Sequence, residues 1–382
     1  MGHRIMKFLH LADLHIGKRF HEVSLLADQD YILAQIAELA ATHGVDAVLI
    51  AGDIYQKSMP SAEAMALFDA FLARLTAAGI KVYAISGNHD SEQRIAYFSS
   101  LIKAAGVYVS EGFDGTLQQH TLTDAYGEIC ISMLPFLKPV QVRRHYPQED
   151  IETYEEAVKA VLAHSEIDPA KRNILIAHQF ITGASTSDSE ELVIGGLDQI
   201  SADLFADFDY VALGHLHGPQ QIRRETLRYA GSPLKYSFSE VHHHKSVPLV
   251  EFREKGSLEI QLLPLQPRRE VRELTGTLSQ ILSMEPSDDY VHVTITDELV
   301  SPDARNDVQV IFPNLLKFGV RNSRTETMQD VSPEEMVEQR NMEQLFDSFY
   351  RYMNADVPPT EAHFELLREV LTELEDAEDE TD

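Results

Sequence analysis

The sequence predicts an α/β fold, and three observations carry that prediction. Short apolar runs alternate with segments of helical periodicity over residues 7–85. Turn-forming Gly44 and Gly79 stand at the ends of the two helical segments. No run of 18 or more apolar residues occurs, so no membrane-spanning helix is expected.

The elements follow in order. Lys7-Phe-Leu-His-Leu-Ala reads as a buried strand. Ser24 to Thr42 has apolar residues at helical spacing (Leu25, Leu26, Ile32, Leu33, Ile36, Leu39, Ala40). Asp46 to Ala51 is a second apolar strand. Ser61 opens a helix with Met65, Phe68, Phe71, Leu72 and Leu75 on one face, and Ile80 to Ile85 is a third strand. Such alternation implies parallel strands with crossover helices on the faces of the sheet. Ile174–Ala177 and Tyr210–Leu213 read as further central strands. Residues 107–133 and 226–263 hold shorter alternating strands and suggest a second sheet packed as a sandwich.

Leu265-Gln-Pro-Arg marks a boundary, giving a main domain over 1–265. Residues 270–320 read strand–helix–strand–helix–strand, which makes 266–330 a small α+β module. Residues 331–376 read as two amphipathic helices. The first carries Met342, Leu345, Phe346, Phe349, Tyr350 and Met353; the second, after Pro358-Pro359-Thr360, carries Phe364, Leu367, Val370, Leu371 and Leu374. These faces either pack on their own domain or dock into a partner's groove. Residues 377–382 are an acidic tail.

At 382 residues and 44% apolar content, the chain is long enough for a main domain and smaller units. Its net charge is −29, with the acid excess concentrated beyond residue 267. That argues against a lone, tight nucleic-acid binder, which needs clustered Lys and Arg. Either the substrate is small, or metals and a partner supply positive charge. Cys130 is the one cysteine, which excludes a disulfide framework and a Cys-x-x-Cys zinc site and suits a reducing cytoplasm.

Five motifs each follow a strand-like run: Asp13-x-His15, Gly52-Asp53, Gly87-Asn88-His89-Asp90, His178 and Gly214-His215-x-His217. Strand ends gather side chains from distant parts of a chain at one sheet edge. Asp, Asn and His are the donor set for a pair of divalent metals. Two metals close together are the usual device for hydrolysing a phosphate ester. Asp13 and His15, two residues apart, point the same way if the backbone there is extended, and so do His215 and His217. Asp53 carries the charge that bridges two cations, and Asn88 offers a neutral carbonyl oxygen. His89, beside them, is free to act as general acid or to steady the leaving oxygen, with Asp90 behind it to orient the ring. Singly, these residues have ordinary readings: a helix N-cap, an Asp-turn, a surface histidine. Together at five strand ends they point to a metal centre.

The order of these motifs resembles the calcineurin-like metallophosphoesterases over residues 6–240. Phe8-Leu-His-Leu-Ala-Asp-Leu-His-Ile-Gly and Tyr229-Ala-Gly-Ser-Pro-Leu-Lys-Tyr-Ser-Phe-Ser-Glu240 are similar to the SbcD-type nuclease subunits of that family. The resemblance implies a four-layer α/β/β/α sandwich, with residues 266–330 as a DNA-binding capping domain and C-terminal helices beyond it. It implies one metal bound by Asp13, His15, Asp53 and His217, a second by Asp53, Asn88, His178 and His215, and His89 as the catalytic histidine. Gln56 departs from the pattern, since archaeal and eukaryotic relatives carry a second active-site histidine there. The thiol-free shell of oxygen donors and histidines suits Mn²⁺, which the resemblance also favours. It further implies DNA as substrate, with ATP-stimulated 3′→5′ exonuclease and single-strand or hairpin endonuclease activity. The partner implied is an SbcC-type ATPase held by the terminal helices, with the nuclease as a homodimer inside a heterotetramer and no membrane association. No Gly-x4-Gly-Lys-Ser/Thr loop occurs in the chain, so ATP dependence belongs to such a partner.

Other features have two readings each. His242-His243-His244 is a third metal site or an exposed loop. Lys235 and Tyr236 touch substrate or line a sheet edge. Arg143-Arg144-His145 and Arg223-Arg224 contact a DNA backbone or are simply solvated. The rival to the nuclease reading is a phosphoesterase acting on a nucleotide, phosphoprotein or lipid, which the acidic balance favours.

Overall fold

The computed structural model describes residues 5–97, 99–190 and 198–322, and beyond them 346–347, 350–351, 358–364 and 366–367. Two six-stranded sheets dominate. In the first, Met6–Leu11 pairs in parallel with Ala47–Ala51, followed by Lys81–Ile85 and Val107–Val109. On its other side Met6–Leu11 pairs antiparallel with Ser246–Phe252, which pairs antiparallel with Leu258–Pro264. In the second, Arg172–His178 lies between Tyr210–Gly214 and Gly127–Leu134, parallel to both. Arg224–Tyr229 and Gln220–Ile222 complete one side, and Gln118–Asp124 the other.

The alternation of side chains along each strand produces the layers. Leu9, Leu11, Val48, Ile50, Val82 and Ala84 share a core with Ile32, Leu33 and Ile36 of the helix Leu26–Thr42 and with Phe68, Phe71 and Leu75 of the helix Ala62–Ala77. Their sequence neighbours Phe8, Leu49, Ala51, Tyr83 and Ile85 face the other way, against Ile129, Ile131, Met133, Ile174, Ile176 and Tyr210 of the second sheet. Leu175, Ala177, Val211 and Leu213 turn to the far side and pack with Ala157, Val158 and Val161 of the helix Tyr154–Ala163 and with Phe205. The result is helix, sheet, sheet, helix, the four-layer sandwich expected. The central strands are covered on both faces and are therefore mostly apolar. A side chain such as Phe71, wholly buried, contributes roughly 1.5–3 kcal/mol by leaving water.

The strands divide between the sheets differently from the expectation. Ile174–Ala177 and Tyr210–Leu213 are central, but in the second sheet. The segment 226–263 splits, so that Arg224–Tyr229 joins the second sheet while Ser246–Phe252 and Leu258–Pro264 extend the first. Doubly covered strands look alike in either sheet, so periodicity could not assign them.

Two buried polar contacts tie the sheets. His10 Nδ1 lies 3.0 Å from the Tyr210 hydroxyl and its Nε2 3.1 Å from the Leu213 carbonyl. A carbonyl only accepts, so Nε2 carries the proton and Nδ1 accepts from Tyr210. Burial, with the charge of Arg228, lowers His10 to about 3. At one end of the sandwich, the buried Arg172 guanidinium pairs with Asp124 and donates to the carbonyls of Gly127, Phe252 and Arg253.

Residues 271–320 form the expected strand–helix–strand–helix–strand, with the strands Val271–Gly276, Tyr290–Ile295 and Leu315–Val320 adjacent in that order. Thr277 caps the helix Leu278–Leu282, accepting from Gln280 N–H. The chain divides into two compact units. One holds the residues up to Leu274 with Met284–Val293 and Val308–Lys317. The other holds Thr275–Ser283, Thr294–Asp307 and the described residues from Phe318 on. In the latter, the Phe346 ring lies 5.7 Å from that of Phe364, and Tyr350 lies 4.7 Å from His363. Met342, Leu345, Phe349, Met353, Val370, Leu371 and Leu374 lie outside the described residues. No helix among the described residues is long and apolar enough to cross a membrane.

Candidate metal centre

The structure brings all eight sequence-predicted residues to one place, where the C-terminal edges of the two sheets meet. Asp13 and His15 follow Met6–Leu11, Asp53 follows Ala47–Ala51, and Asn88 and His89 follow Lys81–Ile85. His178 ends its strand, and His215 and His217 follow Tyr210–Gly214. Backbone bonds lace the first two loops, with Asp13 N–H donating to the Gly52 carbonyl and His15 N–H to that of Asp53. The sheets are joined in both directions. His215 N–H donates to the Asp13 carboxylate at 3.0 Å, and His178 Nδ1–H donates to the Ala51 carbonyl at 2.7 Å.

The backbone here is not the extended one assumed for Asp13-x-His15. Asp13, His15 and Asp53 have φ of 52°, 44° and 50°, and His215 has 106°. Each such non-glycine conformation costs on the order of 1–3 kcal/mol and persists only where its surroundings impose it. Gly87 and Gly214 are needed for closeness. A Cβ on Gly87 would stand 2.1 Å from Asp53 Oδ1, and one on Gly214 would stand 1.9 Å from the Ala51 carbonyl oxygen.

The donor atoms converge. Asp53 Oδ2 lies 3.4 Å from His178 Nε2, 3.6 Å from His15 Nε2 and 4.0 Å from His89 Nε2. Asn88 Oδ1 is 3.0 Å from His178 Nε2 and 3.1 Å from His215 Nδ1. His15 and His217 bring their Nε2 atoms within 3.0 Å of each other. Among the described residues, the groups of three or more acidic or histidine donors compact enough for an ion all belong to this cluster: Asp13–His15–His217, His15–Asp53–His89 and Asp13–Asp53–His178. His242-His243-His244 is in none of them.

Two carboxylates this deep need positive charge. Burial pushes Asp13 well above the usual carboxylate range; His178 opposes the rise and Asp53 adds to it. Burial would raise Asp53 too, but the charge and hydrogen bond of His178, with His15 and His89, hold it far below that range. Burial would lower His178, yet Asp53 raises it to about 9. His215 falls to about 3, by burial first and then by the charge of His178. The oxygen and nitrogen donors gathered here fit divalent cations, whose charge would meet that need.

His89 is set apart. Asp13, His15, Asp53, His178, His215 and His217 are buried, while Asn88 and His89 are half-buried on the open side. The His89 backbone N–H donates to Asp53 Oδ1 at 3.0 Å. Its Nδ1–H donates to the Gln56 carbonyl at 3.2 Å, which turns Nε2 toward Asp53. The orienting role expected of Asp90 therefore falls to Gln56's backbone. Asp90 spends its carboxylate on the backbone N–H groups of Ile54, Tyr55 and Gly87, locking the two loops together. The Gln56 side-chain oxygen is buried and makes no hydrogen bond.

Sequence reasoning missed the layer behind His217. Its N–H donates to Glu190 at 2.7 Å, its carbonyl accepts from Lys245 at 2.8 Å, and its Nδ1 lies 2.7 Å from Ser189 Oγ and 3.3 Å from Glu240 Oε1. Glu240 and Lys245 are buried and 2.6 Å apart. The one available signal was Glu240 at the end of the family-like segment from Tyr229. The Tyr236 ring packs 5.7 Å from His15 and 5.6 Å from His217. Lys235 is paired with Glu270. Arg143 and Arg144 are exposed, while Arg223 pairs with Asp203 and Arg224 donates to the Phe205 carbonyl.

The family model for calcineurin-like phosphoesterases matches residues 6–219. A model described as the type 5 capsule protein repressor C-terminal domain matches residues 267–354. The SbcD subunit of nuclease SbcCD from Staphylococcus epidermidis is 32% identical over 357 residues, 91% of this chain and 93% of that protein. Its namesake from Staphylococcus saprophyticus is 29% identical over 92% of this chain and 94% of its own. Among solved structures, a dimetal phosphatase from Danio rerio aligns over 70% of this chain and 97% of its own, at 11% identity and a TM-score of 0.41. The chain belongs to the calcineurin-like phosphoesterases, and within them to the family of SbcD subunits of nuclease SbcCD.

Proposed function

We propose that this chain is the metal-dependent nuclease subunit of an SbcCD-type complex, cutting DNA with the help of an ATPase partner. The observation that carries the reading is the position of Asp53 Oδ2 between the Nε2 atoms of His15 and His178. A single carboxylate oxygen flanked by two donor groups is what a bridging ligand requires. Asp13, His15, Asp53 and His217 would hold one cation, and Asp53, Asn88, His178 and His215 the other. Mn²⁺ suits these donors best. Such cations supply charge neutralisation of a phosphodiester and acidification of water.

The protein's own groups do the rest. His89 Nε2 faces the cluster from the open side and serves as the catalytic histidine, exchanging a proton with the reacting oxygens or steadying the leaving one. Asn88 Oδ1, 3.0 Å from His178 Nε2, would join it in holding the second cation. The 266–330 module would lie over DNA, and the terminal helices would bind the ATPase. The Phe346–Phe364 and Tyr350–His363 pairs support a shared aromatic platform there. Tyr97 and Leu101, 69% and 66% exposed just after His89, suit a homodimer of the nuclease within a heterotetramer. The activity proposed is ATP-stimulated 3′→5′ exonuclease on duplex ends and endonuclease on single strands and hairpins, in the cytoplasm.

The net charge of −29 favours the rival reading, a phosphodiesterase for small molecules. A labelled duplex and a chromogenic diester, each offered with Mn²⁺ with and without the ATPase, separate the two. Cutting of the duplex supports the nuclease. Turnover of the diester alone, even with the ATPase present, supports the rival.

A further inference from the structure

Glu240 and Lys245 form a buried ion pair that touches no reacting atom, so its place needs another explanation. Glu240 sits on a short turn, Phe238–Glu240, with its side chain wholly buried. One oxygen, Oε1, accepts from the Ser189 hydroxyl and from Tyr236 N–H at 3.2 Å, and lies 3.3 Å from His217 Nδ1. The other, Oε2, lies 2.6 Å from Lys245 Nζ. That ammonium spends its three protons on Glu240, the Ser232 hydroxyl and the His217 carbonyl. Burying both charges is expensive, and nearly every bond they make ends on His217 or on a group that holds it.

The geometry fixes which nitrogen of His217 carries its proton. Ser189 donates its one proton to Glu240, so at 2.7 Å it accepts from His217 Nδ1–H. The lone pair of His217 is therefore on Nε2, the atom that faces His15 in the cluster. Without the acceptor behind Nδ1, the imidazole could carry its proton on Nε2 or turn. In either case it would no longer present a donor pair to a cation.

We infer that Glu240 is a positioning residue for cation binding, acting on His217 through Ser189, with Lys245 as its counterion. The inference rests on the reading of His217 as a metal ligand. Glu190, on the His217 backbone, holds the loop but does not choose the ring's tautomer.

The experiment is Mn²⁺ titration of the full chain by calorimetry, with cleavage measured at rising Mn²⁺. The variants are Glu240→Gln, the charge-balanced Glu240→Gln/Lys245→Met, Ser189→Ala, Ser189→Thr and His217→Ala. Loss of the support behind a ligating histidine weakens metal binding by about 10–100-fold. One of the two Mn²⁺ equilibria should weaken by that amount in Glu240→Gln and in the balanced pair, and less in Ser189→Ala. Ser189→Thr, which keeps the hydroxyl, should restore it. Cleavage should recover at saturating Mn²⁺, which a merely misfolded variant would not do. If the Glu240 variants fail to fold, the Ser189 pair alone decides. Unchanged Mn²⁺ binding in folded Glu240 variants or in Ser189→Ala, with binding lost in His217→Ala, overturns the inference and leaves the nuclease reading intact. Unchanged binding in His217→Ala overturns both the ligand assignment and the inference.

Discussion

Asp53 Oδ2 lies 3.4 Å from His178 Nε2, and this contact joins a loop of the first sheet to the last strand residue of the second. The contact is where the two sheets become one site. Asp53→Asn keeps the shape but removes the charge that both donor groups share. Losing about 4 kcal/mol of charge stabilisation is roughly a 10³-fold loss of rate. We expect cleavage to fall at least that far, with fewer than two Mn²⁺ retained by metal analysis. Two retained ions and near-normal cleavage would remove Asp53 from the bridging role.

His89 is expected to separate binding from chemistry. It lies on the open side, held by the Gln56 carbonyl. His89→Gln should retain both Mn²⁺ ions while cleavage falls by about 10²–10⁴-fold, the usual worth of a positioned proton donor or acceptor. Loss of an ion on this substitution would make His89 a ligand instead.

Much of this site was legible in the sequence because parallel strands deliver their ends to one edge. Val48-Leu-Ile-Ala before Asp53 and Ile174-Leu-Ile-Ala before His178 are apolar on both faces, which marks buried strands. Which sheet each strand joins was not legible, since the apolar run is the same for either. The left-handed backbones of Asp13, His15 and Asp53 were hidden too. They depend on bonds to a neighbouring loop, and no local propensity announces them. The supports of His217 come from 28, 27, 23 and 28 residues away, from Ser189, Glu190, Glu240 and Lys245. An acidic residue in Ser-Phe-Ser-Glu reads as surface until the fold buries it.

Gly214 should tolerate no side chain. Its Cβ would press on the Ala51 carbonyl oxygen at 1.9 Å, the same oxygen that accepts from His178. Gly214→Ala should cost about 3 kcal/mol or more in urea unfolding. Gly256→Asn is the comparison, a left-handed turn position with open space around it, and it should cost under about 1 kcal/mol. Equal losses would place the strain elsewhere.

His10 makes the fold acid-sensitive in a defined direction. It is neutral when folded, lowered to about 3 by burial, and titrates near ~6.5 when unfolded. Above that pH it is neutral in both states and has no effect. Below it, the unfolded chain gains a proton that the folded chain refuses, so stability falls by about 1.4 kcal/mol per pH unit. His15 and His215 are lowered as well and add the same sign in the metal-free protein. His10→Gln can keep the bonds to Tyr210 and Leu213. Its unfolding free energy should decline less steeply between about pH 6.5 and 4.5, by about that one-proton slope. An unchanged slope would mean that His10 is not held neutral between the sheets.

The measurement that bears most directly on the central claim is cleavage of an end-labelled DNA duplex by the purified chain, alone and with the proposed ATPase partner. It would be run with Mn²⁺, with EDTA, and with His89→Gln. Cutting that needs Mn²⁺ and is lost in both controls is the predicted result. Cutting that survives EDTA, or no cutting of DNA with the ATPase present while a small diester is still turned over, would contradict it.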